Sequence, residues 1–296
     1  WLKRAARSCA CLPRSLANFP LPPFVRHSLL RLRPSSVDRD GEMPRSARRT
    51  RGPTYVIEHM EEGLEDWCRL EYRHMCSFLP RDRLYFLRWP AGVQTSQLLA
   101  DDEPPKALLP STLAESFEEL ARRASGGDGD AIAGNPFVDL DRVCLLDMAA
   151  DEALQPEDVA RFDVLVFGGI LGNVIERPDG TYGSDDRTSE LRKLGFAQRR
   201  HLGPMQMTTD TAILVSQMVL EEARSLSEIP FVDSPDIEAS PDSVGEARAG
   251  GSDLVCMEGF RYVARRGPDG EWQPILPEGM RELLLNSADS DILDSI

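Results

Sequence analysis

Long apolar runs are missing from this chain. The longest candidate, Val164 to Leu171, is broken by Gly168 and Gly169 and falls far short of the ~20 residues that cross a bilayer, so a soluble protein is expected. Metal-ligand spacings are missing as well. Six cysteines and four histidines are scattered with neither C-x-x-C nor H-E-x-x-H spacing, which argues against a bound metal. Cys68, Cys76 and Cys144 sit inside apolar segments, as small buried hydrophobes do in a reducing compartment, and no disulfide framework is expected. No Ser-His-Asp, P-loop or paired-carboxylate signature occurs. Basic charge is short too: 34 Lys and Arg face 49 Asp and Glu, a net charge of −15. This balance argues against a nonspecific grip on nucleic-acid phosphate or an anionic membrane as the main activity.

What is present divides unevenly. Residues 1–53 carry 12 basic and 3 acidic side chains, leaving 22 basic and 46 acidic, or −24, in residues 54–296. The first stretch, rich in Arg, Ser and Pro, reads as a disordered basic extension outside the fold. A translated leader or misjudged gene start ahead of Met43 is the first reading, with an organelle-targeting peptide or a functional basic tail as alternatives. The remaining 243 of the 296 residues suffice for one large core or two modest ones.

From Thr54 the pattern alternates. Thr54–Glu58 is β-branched and aromatic, and Leu64, Cys68, Tyr72, Cys76 and Leu79 then recur at helical spacing. Leu84–Trp89 predicts a strand and Thr112–Ala124 a helix with Leu113, Phe117, Leu120 and Ala121 on one face. Gly126–Gly134 predicts a flexible loop. Arg142–Met148 and Asp163–Phe167 are nearly continuous apolar runs, as strands covered on both faces are. Ser189–Leu194 predicts a short helix, Phe196–Leu202 a strand, and Thr209–Arg224 a helix that Thr208 or Thr209 caps. Together these predict an α/β fold with a largely parallel sheet flanked by helices, over residues 54–232. Phe231–Ser252 is dense in Pro, Asp, Glu, Ser and Gly and predicts an acidic linker or loop, bounded as 233–254. Beyond it, in 255–296, Phe260–Val263 and Gln273–Leu276 are expected to pair as a hairpin and Gly279–Leu285 to form a helix, both packing on the same domain.

Two features exceed what such a fold requires. Phe167-Gly-Gly-Ile-Leu-Gly172 follows a buried strand, where open α/β sheets place their sites and where glycine lets backbone approach a ligand. Leu202-Gly-Pro-Met-Gln-Met-Thr-Thr-Asp-Thr211 is a rigid turn running into a helix N-terminus, whose N–H groups suit a carboxylate or an amide. A tight turn explains the first and ordinary capping the second equally well. Between them Asp185-Asp-Arg-Thr-Ser-Glu-Leu-Arg192 is charged and, with Glu58, would surround one cleft.

These segments, together with Tyr55-Val-Ile-Glu-His-Met60, Trp67, Glu71-Tyr72 and Phe260-Arg-Tyr-Val263, resemble in order the SPOUT-class methyltransferases that act on a protein arginine. The resemblance implies a C-terminal trefoil knot and S-adenosylmethionine as cofactor. By residue it implies cofactor contacts from Gly168, Gly169, Ile170, Leu171 and Gly172, from Leu202, Gly203, Met205 and Met207, and from Thr208, Thr209 and Asp210. It implies as substrate an arginine of small-subunit ribosomal protein three, modified in the cytoplasm, with no direct nucleic-acid or membrane partner. A guanidinium is charged at ordinary pH, so the enzyme must help a proton leave. Glu58 and Asp186, then Glu71 and Glu190, are the carboxylate candidates, and Arg187 is expected to pair with a carboxylate or with the cofactor's own. An acidic domain suits a basic protein better than RNA. An RNA methyltransferase of the same fold and a non-catalytic ribosomal-protein-binding module stay open, as do monomer and homodimer.

Overall fold

The computed structural model describes residues 52–99, 109–125, 139–169, 174–176, 182–184, 188–238 and 254–287. The loop at Gly126–Gly134, most of the basic extension, residues 239–253, Ile170 to Gly172, Asp186 and Arg187 lie outside the described residues.

The first strand, β1 (Thr54–Glu58), leads into helix α1 (Asp66–Phe78), whose 3–4-residue apolar spacing buries Trp67, Cys68, Tyr72, Met75 and Cys76. It stops at Leu79 because Pro80 drives the preceding residue to an extended ψ of 144°. Strands β2 (Leu84–Leu87) and β3 (Ser111–Thr112) precede helix α2 (Phe117–Ser125). Strands β4 (Val143–Leu146) and β5 (Val164–Gly168) follow, then a small antiparallel pair, β6 (Val174–Glu176) with β7 (Tyr182–Ser184). The short helix α3 (Thr188–Arg192), strand β8 (Gln198–Arg200) and helix α4 (Thr209–Leu220) complete the layered part.

The main sheet has the order β3-β2-β1-β5-β4-β8, and every pairing in it is parallel. Alternate residues of its strands enter two cores. Tyr55 and Ile57 pack with Tyr72 and Met75 of α1 and with Ile213 and Val219 of α4. Val56, Leu145 and Val166 pack with Phe117 and Leu120 of α2 and with Leu191 of α3. Helices on both faces explain why these strands read as continuous apolar runs.

Two expectations change. Thr112–Ala124 is not one helix: Ser111 and Thr112 pair with Tyr85 and Phe86 as an edge strand, and the helix starts only at Phe117. Nor is 231–238 a linker. Strands β9 (Phe231–Asp233) and β10 (Asp236–Glu238) pair antiparallel with β12 (Arg261–Arg266) and β11 (Leu254–Cys256) respectively. Ile237, fully buried, enters a third core with Trp67, Val255, Phe260 and Tyr262, and that burial orders a segment whose composition is polar. The expected hairpin forms between β12 and β13 (Trp272–Pro274), and the closing helix α5 (Met280–Ser287) adds Met280 and Leu284 to the same core. Among the described residues no helix is long and apolar enough to cross a membrane.

Candidate active site

The chain runs outward through β1, β2 and β3, then returns so that β5 lies against the other side of β1. The reversal opens a crevice beyond the carboxyl ends of β1 and β5, the position where open α/β sheets bind ligands. Glu58 and Gly168 are register partners at that point. The next residue fixes how close the two chains come: Gly169 N–H donates to Glu58 O at 2.7 Å, and a Cβ at Gly169 would run into that same carbonyl. Glycine is required there by backbone contact.

A cleft of about 720 Å³ opens beside the crevice, lined among others by Glu58, Arg88, Trp89, Ser116, Glu119 and Glu190. Glu58 is 4% exposed, and its Oε2 accepts the Phe117 N–H at 2.9 Å, so it caps α2 from the end of β1. Burial pushes this carboxyl up to about 7, against the pull of the Phe117 N–H and of Arg88. It therefore changes charge near neutrality, as a group that exchanges protons must. Ser116 and Glu119 close the same helix end reciprocally: the Ser116 N–H donates to Glu119 Oε2 at 2.9 Å and the Glu119 N–H to Ser116 Oγ at 3.3 Å. Glu190 is exposed on α3 and paired with Lys193. Behind Glu58, His59 is fully buried. Its Nε2 donates to Gly63 O at 3.0 Å, and the Tyr72 hydroxyl donates to its Nδ1 at 2.9 Å. Burial holds it neutral by lowering its pKa.

The second turn leaves β8. The Gly203 N–H donates to His201 Nδ1 at 3.0 Å, and a φ of +119° makes glycine the residue that fits. Further along, the Arg261 N–H donates to Gln206 O at 2.8 Å, while Arg261 itself forms a bidentate pair with Asp233 at 2.6 and 2.8 Å. This is the role of the Phe260–Val263 motif: it ties the turn to the C-terminal sheet. Within the turn, Gln206 Oε1 is buried without a hydrogen-bond partner, an acceptor that fits a ligand bringing an N–H donor.

The structure divides the sequence candidates. Glu58 and Glu190 share the cleft. Glu71 does not: it is fully buried on α1, where its Oε1 accepts the Trp67 indole N–H at 2.6 Å. Thr208, Thr209 and Asp210 are also buried. The Thr208 hydroxyl donates to Thr211 Oγ1 at 2.8 Å instead of capping a backbone N–H, and Asp210 Oδ2 pairs with His74 Nδ1 at 2.7 Å. Sequence reasoning missed Arg88, which lines the cleft in a left-handed conformation with φ of 51°, and no local signal marks it. It also passed over the Ser116-x-x-Glu119 capping box, which was readable.

A parallel sheet with a glycine-bearing turn at its switch point, beside a buried carboxyl pushed up to about 7, is an arrangement found in cofactor-binding α/β enzymes. Comparison with known proteins narrows it. Residues 54–291 match the family described as protein arginine N-methyltransferase SFM1-like. The protein arginine N-methyltransferase SFM1 of Saccharomyces cerevisiae is 35% identical over 237 residues, covering 78% of this chain and 93% of the yeast protein. The crystal structure of the yeast arginine methyltransferase SFM1 complexed with SAM superposes with a TM-score of 0.59 at 31% identity, covering 80% of this chain and 91% of that one. The same enzyme complexed with SAH gives 0.56 at 32% identity, covering 80% and 96%. The chain belongs to the SFM1-like protein arginine N-methyltransferase family.

Proposed function

We propose that this enzyme uses S-adenosylmethionine to methylate an arginine of a small-subunit ribosomal protein, with Glu58 taking the proton that the guanidinium loses. The observation that carries this reading is Glu58 at the switch point, in register with Gly168 and pushed up to about 7.

The relatives crystallised with SAM and SAH support the cofactor, and the two turns fit it. The backbone of Gly168 and Gly169, the Leu202–Met207 turn and the unpartnered Gln206 oxygen would hold it. Bound there, S-adenosylmethionine supplies a methyl group on a positively charged sulfonium. Thr208, Thr209 and Asp210, buried at the start of α4, brace this turn through the Thr208–Thr211 and Asp210–His74 hydrogen bonds.

The protein's own residues do the rest. Glu58, Glu119 and Glu190 give the cleft acidic groups that attract and orient a guanidinium. Ionised Glu58 accepts a proton from the reacting nitrogen, which frees its lone pair for in-line attack. Arg88 keeps part of Glu58 ionised at neutral pH. The acidic balance of residues 54–296 suits a basic ribosomal protein presented in the cytoplasm, with monomer and homodimer both compatible. A trefoil knot in the C-terminal part of the fold belongs to the same reading.

The test is transfer of radiolabelled methyl from S-adenosylmethionine to small ribosomal subunits, with protein and RNA separated before counting. Label in one ribosomal-protein band, recovered as methylarginine after hydrolysis, is the expected result. Label in RNA overturns the substrate assignment.

A further inference from the structure

Glu71 and Asp210 form a buried carboxyl pair where α1 meets the start of α4. They are 0% and 1% exposed. One oxygen of each is satisfied: Glu71 Oε1 by the Trp67 indole at 2.6 Å and Asp210 Oδ2 by His74 at 2.7 Å. The other oxygen of each, Glu71 Oε2 and Asp210 Oδ1, is buried with no hydrogen-bond partner. Two ionised carboxylates can only accept, so both oxygens would stay unsatisfied and the charges would repel. One retained proton removes both faults, because a protonated carboxyl is a donor.

We infer that Glu71 is a positioning residue of the methyl-transfer site: it keeps its proton and donates it to Asp210, locking the start of α4 and the Leu202–Met207 turn ahead of it. The functional half of this inference rests on the reading of that turn as a cofactor site. Geometry says which carboxyl carries the proton. Asp210 is paired with His74, whereas Glu71 faces Trp67, Cys68 and Tyr72 on its own helix, Tyr262 on β12 and the N–H groups of Thr209 and Asp210. Burial and the neighbouring Asp210 push Glu71 well above the usual carboxyl range, although the N–H groups of Thr209 and Asp210 pull it down. Burial, Cys68 and Glu71 suppress the ionisation of Tyr72, and burial, Asp210 and Glu71 that of Tyr262, so neither hydroxyl readily loses its proton.

Loss of the Glu71 proton at alkaline pH places a second negative charge against Asp210 and loosens the turn. Two measurements on the full chain test this. The first is the infrared difference spectrum at pH 7 in a Glu58→Gln background, which removes the other carboxyl protonated at that pH; there the carbonyl stretch of a protonated carboxyl is expected, and it is expected to disappear when Glu71→Gln is added. The second is calorimetric affinity for S-adenosylmethionine between pH 6 and pH 9.5. Wild type is expected to weaken by about tenfold across the alkaline limb. Glu71→Gln, whose amide donates to Asp210 at every pH, is expected to change by less than about twofold. Glu71→Ala, checked by circular dichroism for folding, is expected to bind weakly throughout, with the Gln variant restoring affinity. Absence of the protonated-carboxyl band, or an alkaline limb unchanged in Glu71→Gln, overturns the inference. Failure of wild type to bind at any pH defeats the cofactor reading instead, while the infrared band still decides where the proton resides.

Discussion

Glu58 carries two opposed consequences of burial. Its folded-state pKa of about 7 lies above the ordinary 4.5, so the protonated form is the one that folding favours. Its stabilising contribution is complete below about pH 4.5 and is lost as pH rises through 7. Under the proposed role activity is expected to run the other way, since only the ionised carboxylate accepts a proton. Glu58→Gln, whose amide oxygen still accepts the Phe117 N–H, is expected to gain urea resistance relative to wild type as pH rises from 5 to 8. Its turnover is expected to fall by about 10²-fold or more. A turnover–pH profile beside urea titrations at the two pH values checks both. Gly169 is a second single-residue case. Its backbone already touches Glu58 O, so Gly169→Ala is expected to cost about 2 kcal/mol or more by forcing β1 and β5 apart, read as a lower denaturation midpoint and a weaker cofactor affinity. The need for glycine was legible in Phe167-Gly-Gly. The atom that imposes it was not, because Glu58 is 111 positions away in sequence.

At the scale of elements, α3 depends on Asp147 at the end of β4. Asp147 is 2% exposed and accepts Arg192 Nε and Nη2 at 2.7 and 2.6 Å, and Arg199 Nη1 at 3.0 Å. Burial works against its charge, but Arg192, the Ala149 N–H and Arg199 prevail and hold its pKa below the usual aspartate value. This stability is present above the unfolded pKa near 3.8 and is lost as pH falls below it. Asp147→Ala strands two guanidinium groups and is expected to cost about 3 kcal/mol. It should also remove the acid-labile step from a thermal melt followed between pH 5 and pH 3. The strands themselves were legible, since a parallel sheet covered on both faces demands continuous apolar runs. The edge strand at Ser111–Thr112 was not. Leu113, Phe117, Leu120 and Ala121 fit a helix period, and only pairing with β2 sets the first turn apart.

For the molecule as a whole, the −24 balance of residues 54–296 is expected to govern encounter with the proposed basic substrate. Raising salt from about 50 to 500 mM is expected to raise KM for a basic protein substrate roughly tenfold through screening. Cofactor affinity should move less than about twofold if the proposed turns hold it, because backbone hydrogen bonds shape both of them. Steady-state kinetics beside calorimetry separate the two. A KM indifferent to salt would remove charge from the account of substrate choice. Sequence alone determined the α/β class, the strand and helix periods, the glycine turns and the acidic character, because each is a local pattern or a sum over residues. Tertiary structure alone decided that Glu58 meets Gly168 at the switch point, that Glu71 leaves the cleft to face Asp210, and that the polar 231–238 stretch is ordered. Each of those depends on which distant residues meet, and on how much water their meeting excludes, and neither is written in the spacing along the chain.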